Sequence, residues 1–495
     1  MKSGSLLENR RWERKIWVSG RWQTGSADDL IVVSPGSGER LAAAGRADPK
    51  DVARVVSEAG QAAIRWSRST GEERARVLEQ SAEVLQDCLD EISWWLVQET
   101  GSIHSRAESG VRHASERLVA SSRTARLAGQ ELVLGNAKAG ERSLAERKPF
   151  GVVGVITPWN SPLVLAVRAI APALATGNAV VLKPDPHTPV SGGVILARVF
   201  EEAGLPDGLL QVIAGGAEVG EALVTDPGVD KVSFTGSTSA GRRVGMLAGE
   251  ALKSVSLELG GNNALVVLDD ADVDAAAKAG AAGSFGHQGQ ICMATGRHLV
   301  HADVADRYTE ILVGITEKMS VGDPGKGNVD LGPLISDAQA DRVERLVNSS
   351  VDDGAVVKIG AKREGRYYWP TVLEGVDSAM PVFREEIFGP VAPIVVVQND
   401  DEAAQLANLT SYGLVASVFT SDMDRGLAFL DRLRTGAGHV NQPTVKSDPD
   451  APFGGMGCSG NGARYGAVSD LETFSTWRWR TVCRGGFEQN DQIDR

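Results

Sequence analysis

The chain has 495 residues, with 64 Asp and Glu against 51 Lys and Arg, a formal charge of −13 and 42% hydrophobic residues. That length holds roughly two to four domains, each able to bury its own core. The acidic balance excludes a nucleic acid or an anionic membrane as the main partner, because phosphate binding needs a concentrated positive field, but leaves small anionic cofactors allowed.

The amino terminus, MKSGSLLENRRWERK, lacks the apolar segment of a signal peptide. Residues 48–92 read as two amphipathic helices. Asp48 before Pro49 sets the first N-cap, and Thr70 with Glu73 makes a capping box for the second. Residues 128–148 are polar, with a turn at Gly135 to Gly140, and read as a hairpin standing off the body. From residue 150 short apolar runs alternate with helix-length segments: Gly151 to Ile156, Ala179 to Leu182, Leu209 to Ile213, Lys231 to Phe234 and Ser254 to Leu259, with a helix expected over Val190 to Ala203. This rhythm predicts βαβ units and a parallel sheet. A second series follows residue 262, with strands at Ala264 to Leu268, Arg297 to His301, Val391 to Val397, Leu414 to Thr420 and Gly438 to Asn441. Helices are expected near 303–319, 337–353, 401–409 and 423–434. The tail, Thr473 to Cys483, has strand-like composition, and a lone terminal strand beside an exposed hairpin predicts pairing between subunits. The longest apolar stretch, Pro162 to Leu182, is interrupted by Arg168, Pro172, Gly177 and Asn178, so no membrane span is expected. Four cysteines, Cys88, Cys292, Cys458 and Cys483, are too few and too scattered for a disulfide framework or a zinc ribbon, which predicts a cytosolic chain without metal.

Four segments could carry chemistry. Cys292 lies in FGHQGQICMATGR, where Gly283, Gly286, Gly289 and Gly296 describe a backbone passing close to something. A buried structural thiol is the plain reading of a single cysteine, whereas a nucleophile needs this kind of open, amide-rich setting. Glu258 ends an apolar strand just before Gly260 and Gly261, at the edge where parallel sheets place ligands. Partial burial there would raise it toward a general base's range, although strand-end carboxylates are commonly just solvated. Asn160, bracketed by Pro158 and Pro162, either satisfies a turn or offers a fixed amide donor to developing negative charge. FTGSTSAG, Phe234 to Gly241, reads as strand, turn and helix start, which suits a pyrophosphate but is weak as a bare pattern.

Taken together, PWNSP at 158–162, LKP at 182–184, FTGST at 234–238, LELGG at 257–261, GQIC at 289–292, EEIFGP at 385–390 and PFGG at 452–455 resemble the aldehyde dehydrogenase superfamily in order and spacing. The resemblance covers roughly residues 15–483. KPDPHTP at 183–189, GGAEVG at 215–220, LGGNN at 259–263, HQGQICMATGRHLVH at 287–301 and PFGGMG at 452–457 are similar to the benzaldehyde dehydrogenase branch, which includes vanillin-type enzymes. The resemblance implies an α/β fold with a Rossmann-type NAD(P)-binding domain (1–127 and 149–258), a catalytic domain (259–455) and a β oligomerisation arm (128–148 and 470–485). It implies a homodimer or homotetramer, and Cys292 as the nucleophile that attacks an aldehyde. Asn160 and the Cys292 amide would then stabilise the oxyanion, and Glu258 would activate water against the thioester. On the cofactor side it implies Lys183 at the adenosine ribose, Gly236 and Ser237 at the pyrophosphate, Glu386 at the nicotinamide ribose and Phe388 at the ring, with Ile156, Trp159, Gly216, Gly220 and Phe234 completing the site.

Three departures stand out. Pro186 occupies the place where NAD-selective members often carry Glu, so NAD is expected as main cofactor with NADP also accepted, Asp185 supplying some repulsion. Ser161 replaces a frequent Phe, and Cys292 has no neighbouring thiol. The channel segment Ser161 to Val167 reads as apolar, predicting benzaldehyde-like substrates over an anionic semialdehyde. An aliphatic or semialdehyde dehydrogenase, a cofactor-independent Cys/Glu thioesterase and a silent binding protein are the alternatives.

Overall fold

The computed structural model describes residues 5–135 and 141–483. Five short strands, buried on both faces except at the start of the edge strand, form a parallel array in the spatial order Ser254–Glu258, Lys231–Thr235, Val152–Ile156, Ala179–Lys183, Leu210–Val212. Two antiparallel strands, Lys15–Val18 and Arg21–Thr24, extend it beyond Leu210–Val212. Strand order reverses at Val152–Ile156, whose neighbours are the next strand in the chain on one side and Lys231–Thr235 on the other. The carboxyl ends of these two strands therefore border the crevice where open α/β sheets bind ligands.

A second seven-stranded sheet runs in the order Val356–Ile359, Thr371–Glu374, Val391–Val397, Thr295–His301, Asn263–Val267, Val415–Phe419, Ala437–Val440. Only Val356–Ile359 is antiparallel in it. Both α/β series expected from the apolar runs are thus present. Among the described residues no helix is long and apolar enough to cross a membrane, and no group of three His, Cys, Asp or Glu could hold a metal ion.

The helix Pro49–Trp66 starts on Asp48, whose side chain accepts from the Lys50 amide, and Gly71–Asp87 starts on the reciprocal Thr70 and Glu73 capping box. The segment does not stop after two helices. It turns at Cys88 into Leu89–Thr100, and His104–Leu127 follows. The helix expected over Val190 to Ala203 opens instead as a π turn, Val190–Val194, before regular Ile195–Glu202. The buried Glu99 carboxylate accepts the Val190 and Ser191 amides, so the cap comes from a distant helix rather than from local sequence.

The tail is not a lone strand. Ser475–Cys483 pairs antiparallel with Glu141–Pro149 over nine residues, and Glu131–Val133 pairs on the other side of that strand. Thr473 belongs to the short helix Asp470–Phe474. Most of the expected hairpin turn, residues 136–140, and residues 484–485 of the expected arm lie outside the described residues.

Candidate active site

Asn160 follows the strand Val152–Ile156 at the switch point, and Pro162 then fixes the first turn of the helix Pro162–Ala175. The Asn160 side-chain Nδ2 donates to the Gln290 carbonyl at 2.9 Å, and the Asn160 backbone carbonyl accepts from His287 Nε2 at 2.7 Å. That acceptor requires the His287 proton on Nε2, and burial pushes the imidazole down to about 3, so it is neutral. His287, Gln288 and Gly289 all have positive φ, at 51°, 56° and 68°. For the two residues with side chains this costs about 1 kcal/mol or more each. Gln288 is tied down by donating to the Gly101 carbonyl, and a Cβ on Gly289 would meet the Gly389 carbonyl.

This strained loop delivers Cys292. A Cβ on Gly261 would lie 2.4 Å from the Cys292 carbonyl oxygen, which accepts from Asn263 Nδ2. The two glycines of LGG therefore permit a close approach that any side chain would block. Burial pushes the Cys292 thiol up to about 11, with the Glu258 and Glu386 carboxylates adding to the rise and Arg168 opposing it. At neutral pH the resting group is a thiol, so attack requires a base.

Glu258 is 2% exposed, and its Oε1 has no hydrogen-bond partner. Burial raises its carboxyl to about 7, with Arg168 and Arg464 opposing. Arg168 was read in the sequence only as an interruption of an apolar run. It is buried, donates to Thr235 Oγ1 at 3.1 Å, and lies over the rings of Phe453 and Tyr465. Its charge lowers the pKa of both Cys292 and Glu258.

Glu386 accepts from the Gly261 amide at 2.9 Å, and burial raises it to about 7. A Cβ on Gly260 would lie 2.3 Å from its Oε2. Phe388 has φ 53° and meets Trp159 edge-on at 5.5 Å. Two side chains the sequence reading missed hold this loop: Arg342 donates to the Glu386 carbonyl and Gln339 to the Phe388 carbonyl. Both lie in Asp337–Asp352, an ordinary amphipathic helix by its pattern, so no signal marked them.

Trp159, Asn160, Gly236, Ser237, Cys292, Glu386 and Phe388 share one cavity. Ser237 caps the helix Thr238–Glu250 by accepting from the Ala240 amide, so free amides of that first turn face the crevice. Of the other expected cofactor residues, Ile156, Lys183, Gly216, Gly220 and Phe234 lie off this cavity's wall. A Cβ on Gly220 would touch Ile156 Cδ1 and Lys183 Cδ, both at 3.7 Å, which groups these three at the strand ends. Gly216 begins the helix Ala217–Thr225, and Phe234 lies under Gly236. Buried Lys183 is lowered by desolvation and supported by the Asp185 and Glu218 charges. Asp185 is folded back on His187, accepting from its amide and its ring.

A second cavity meets the first at Asn160, Leu165 and Cys292. Ser161, Pro162, Leu163, Val164 and Leu165 form one wall, as the apolar segment predicts, although Val167 does not reach it. Arg106, Ser109, His113 and Arg117 of the helix His104–Leu127 add polar groups to the lining, beside the apolar Leu96, Ile291, Met293, Val445 and Phe453. The channel is therefore lined by apolar and polar groups together.

These residues fit a dinucleotide from one side and a small carbonyl compound from the other. A helix N-terminus and bare glycines face the crevice and Cys292 sits where the two spaces join, while the buried Glu258 carboxylate, with Oε1 unpartnered, lines neither cavity but adds to the rise of that thiol. A model of the aldehyde dehydrogenase family matches residues 22–480. A vanillin dehydrogenase of an Amycolatopsis species is 46% identical over 97% of this chain and 98% of its own length. The benzaldehyde dehydrogenase [NAD(+)] of Pseudomonas putida is 45% identical over 94% and 96%. An NAD-dependent aldehyde dehydrogenase from Sinorhizobium meliloti superposes with a TM-score of 0.93 at 33% identity, covering 97% of this chain and 96% of that one. With the match running through both sheets and every segment of the site, the chain belongs to the aldehyde dehydrogenase family.

Proposed function

We propose that this enzyme oxidises aromatic aldehydes of the benzaldehyde or vanillin type to carboxylic acids, with NAD as main cofactor and NADP accepted. The observation that carries this reading is the placement of Cys292 and Asn160 on the wall shared by two cavities, one edged by a helix N-terminus and one flanked by the apolar face Pro162 to Leu165. A flat aryl group gains about 25 cal/mol per Å² of apolar surface covered there.

Cys292 loses its proton to a base and its sulfur bonds to the aldehyde carbon, giving a thiohemiacetal whose oxyanion is met by the Asn160 amide and the Cys292 backbone N–H. Bound NAD would supply the hydride acceptor, and loss of hydride from that carbon would leave a thioester to Cys292. Glu258 removes a proton from water, water oxygen bonds to the acyl carbon, and the carbon–sulfur bond breaks to release the acid and restore the thiol. Its value of about 7 suits this task, since an acceptor near working pH is both available and basic enough. Lys183, Gly236, Ser237, Glu386 and Phe388 hold the dinucleotide in this reading, with Ile156, Trp159, Gly216, Gly220 and Phe234 shaping its bed. The first sheet serves as cofactor unit, the second as catalytic unit, and the three-stranded sheet as the arm of a homodimer or homotetramer in the cytoplasm.

A second reading, an aliphatic semialdehyde as substrate, gains from the guanidinium of Arg106 in the channel, since a carboxylate there would not be buried alone. Reduced-cofactor absorbance over an aldehyde panel tests both. Benzaldehyde and its hydroxy and methoxy derivatives are expected to exceed acetaldehyde and succinic semialdehyde in kcat/KM. A win by either of the latter of about tenfold, 1.4 kcal/mol, overturns the aromatic assignment, and no reduction with any aldehyde overturns the activity.

A further inference from the structure

Three guanidiniums line the cavity that leads to Cys292: Arg106, Arg117 and Arg168. Two have evident compensation. Arg168 donates to Thr235 and shares the field of Glu258 and Asp470, and Arg117 lies in the field of Asp470, Asp448 and Asp450. Arg106 has no hydrogen bond and no ion pair with any described residue, and the titratable groups that sense it, Cys292 and His287, are both uncharged at neutral pH. Its position also works against the helix that carries it. Arg106 stands in the first turn of the 24-residue helix His104–Leu127, which has no acidic residue there, and a cation at that end opposes the helix dipole. Burial lowers the guanidinium only to about 10, so it stays charged at neutral pH. Neither packing, pairing nor helix stability accounts for a charged side chain here, and a negatively charged group entering the cavity would.

We propose that Arg106 anchors an anionic oxygen carried by the ring of the substrate, so that the preferred aldehydes are benzaldehydes bearing a phenolate or a carboxylate away from the formyl group. The proposal rests on the aromatic aldehyde reading above and makes it narrower. The geometry suits a rigid ring: Cys292, the apolar stretch Pro162 to Leu165 and Arg106 line one cavity, so a ring whose formyl carbon reaches Cys292 shares that space with the guanidinium. A charge-assisted bidentate contact to a guanidinium is directional, so it would orient the ring as well as hold it.

The test uses full-length enzyme with four substrates: benzaldehyde, 4-methylbenzaldehyde, 4-hydroxybenzaldehyde and 4-carboxybenzaldehyde. In the wild type the 4-carboxy and, above the phenol's pKa, the 4-hydroxy compound are expected to exceed 4-methylbenzaldehyde in kcat/KM. In Arg106→Gln the ratio of 4-carboxy to 4-methyl is expected to fall by about 30-fold, the range of a lost hydrogen bond to a charged group. Most of the change appears in KM, and Arg106→Lys restores part of it. An unchanged ratio, whether or not both rates fall, overturns the proposal and makes Arg106 a structural or Cys292-directed charge. If Arg106→Gln does not fold, the wild type alone decides: a 4-carboxylate that raises KM relative to 4-methyl overturns it. A wild type that oxidises none of the four overturns the aromatic reading itself, a result distinct from either.

Discussion

Replacing Glu258 by Gln keeps the shape of the side chain and removes its charge, and the structure gives two separable consequences. Burial raises the carboxyl from an ordinary 4.5 to about 7, a difference worth roughly 3 kcal/mol. Below pH 4.5 folded and unfolded chains both hold the proton. Between 4.5 and 7 the folded chain keeps a proton that the unfolded chain has released, so stability falls as pH rises, and above 7 the full penalty is present. Gln escapes it, so the variant's melting temperature should exceed that of the wild type at pH 8, with the gap narrowing toward pH 5. Activity moves the other way. Ionised Glu258 should rise from about one-tenth to about nine-tenths between pH 6 and 8, so wild-type kcat should climb by about ninefold. Glu258→Gln should lose steady-state turnover by about a hundredfold or more. Rapid mixing then locates the step: a burst near one equivalent of reduced cofactor followed by a stall places Glu258 in deacylation, and a lost burst places it in deprotonating Cys292. A variant with unaffected steady-state turnover refutes the role.

Cys292→Ala should abolish oxidation while retaining cofactor binding by fluorescence titration, and turnover within about tenfold of wild type would sink the nucleophile assignment. With Pro186 offering no carboxylate and Asp185 engaged by His187, the preference for NAD over NADP in kcat/KM should stay below about a thousandfold, 4 kcal/mol; a larger ratio would assign selectivity to another group, with Glu218 beside Lys183 the first to test. Trp479→Pro combined with Arg480→Pro removes one ladder donor whichever residue faces Glu141–Pro149. Light scattering should then report smaller particles than wild type, and an unchanged mass would exclude the arm as the interface.

Most strands of both parallel arrays were legible because they are short apolar runs ended by Gly, Pro or a polar turn, as Ala179–Lys183 and Val415–Phe419 illustrate, whereas the four-residue Thr371–Glu374, with one residue of polar and one of acidic type, was not read. The long helix His104–Leu127 was not, since its core-facing side is mostly Ala and Ser with no N-cap hydrogen bond to announce it. The π turn at Val190 escaped for a related reason: Glu99, ninety residues earlier, supplies its cap. For the candidate site, sequence order pointed to Cys292, Glu258 and Asn160, whose segments carry unusual glycines and prolines. It could not find Arg168, Arg342 or Arg106, because a cation on a helix pattern reads as solvent-facing until the fold shows which wall it meets.

The stretch around Glu258 is closed by a part of the chain two hundred residues later. Glu258 bridges Gly460, and the Leu259 amide donates to the Ser459 carbonyl at 2.9 Å. Cys292, Glu386 and this closing segment must therefore all be docked before the surroundings proposed for Glu258 and Cys292 are complete. Contacts of such long sequence separation form late. During refolding, or while the chain emerges from a ribosome, helical signal and much of both sheets should return before any dehydrogenase activity. On the roles proposed above, Cys292 is not acylated until nearly all of the polypeptide is in place, which would make enzymatic turnover a clock for the last step of folding.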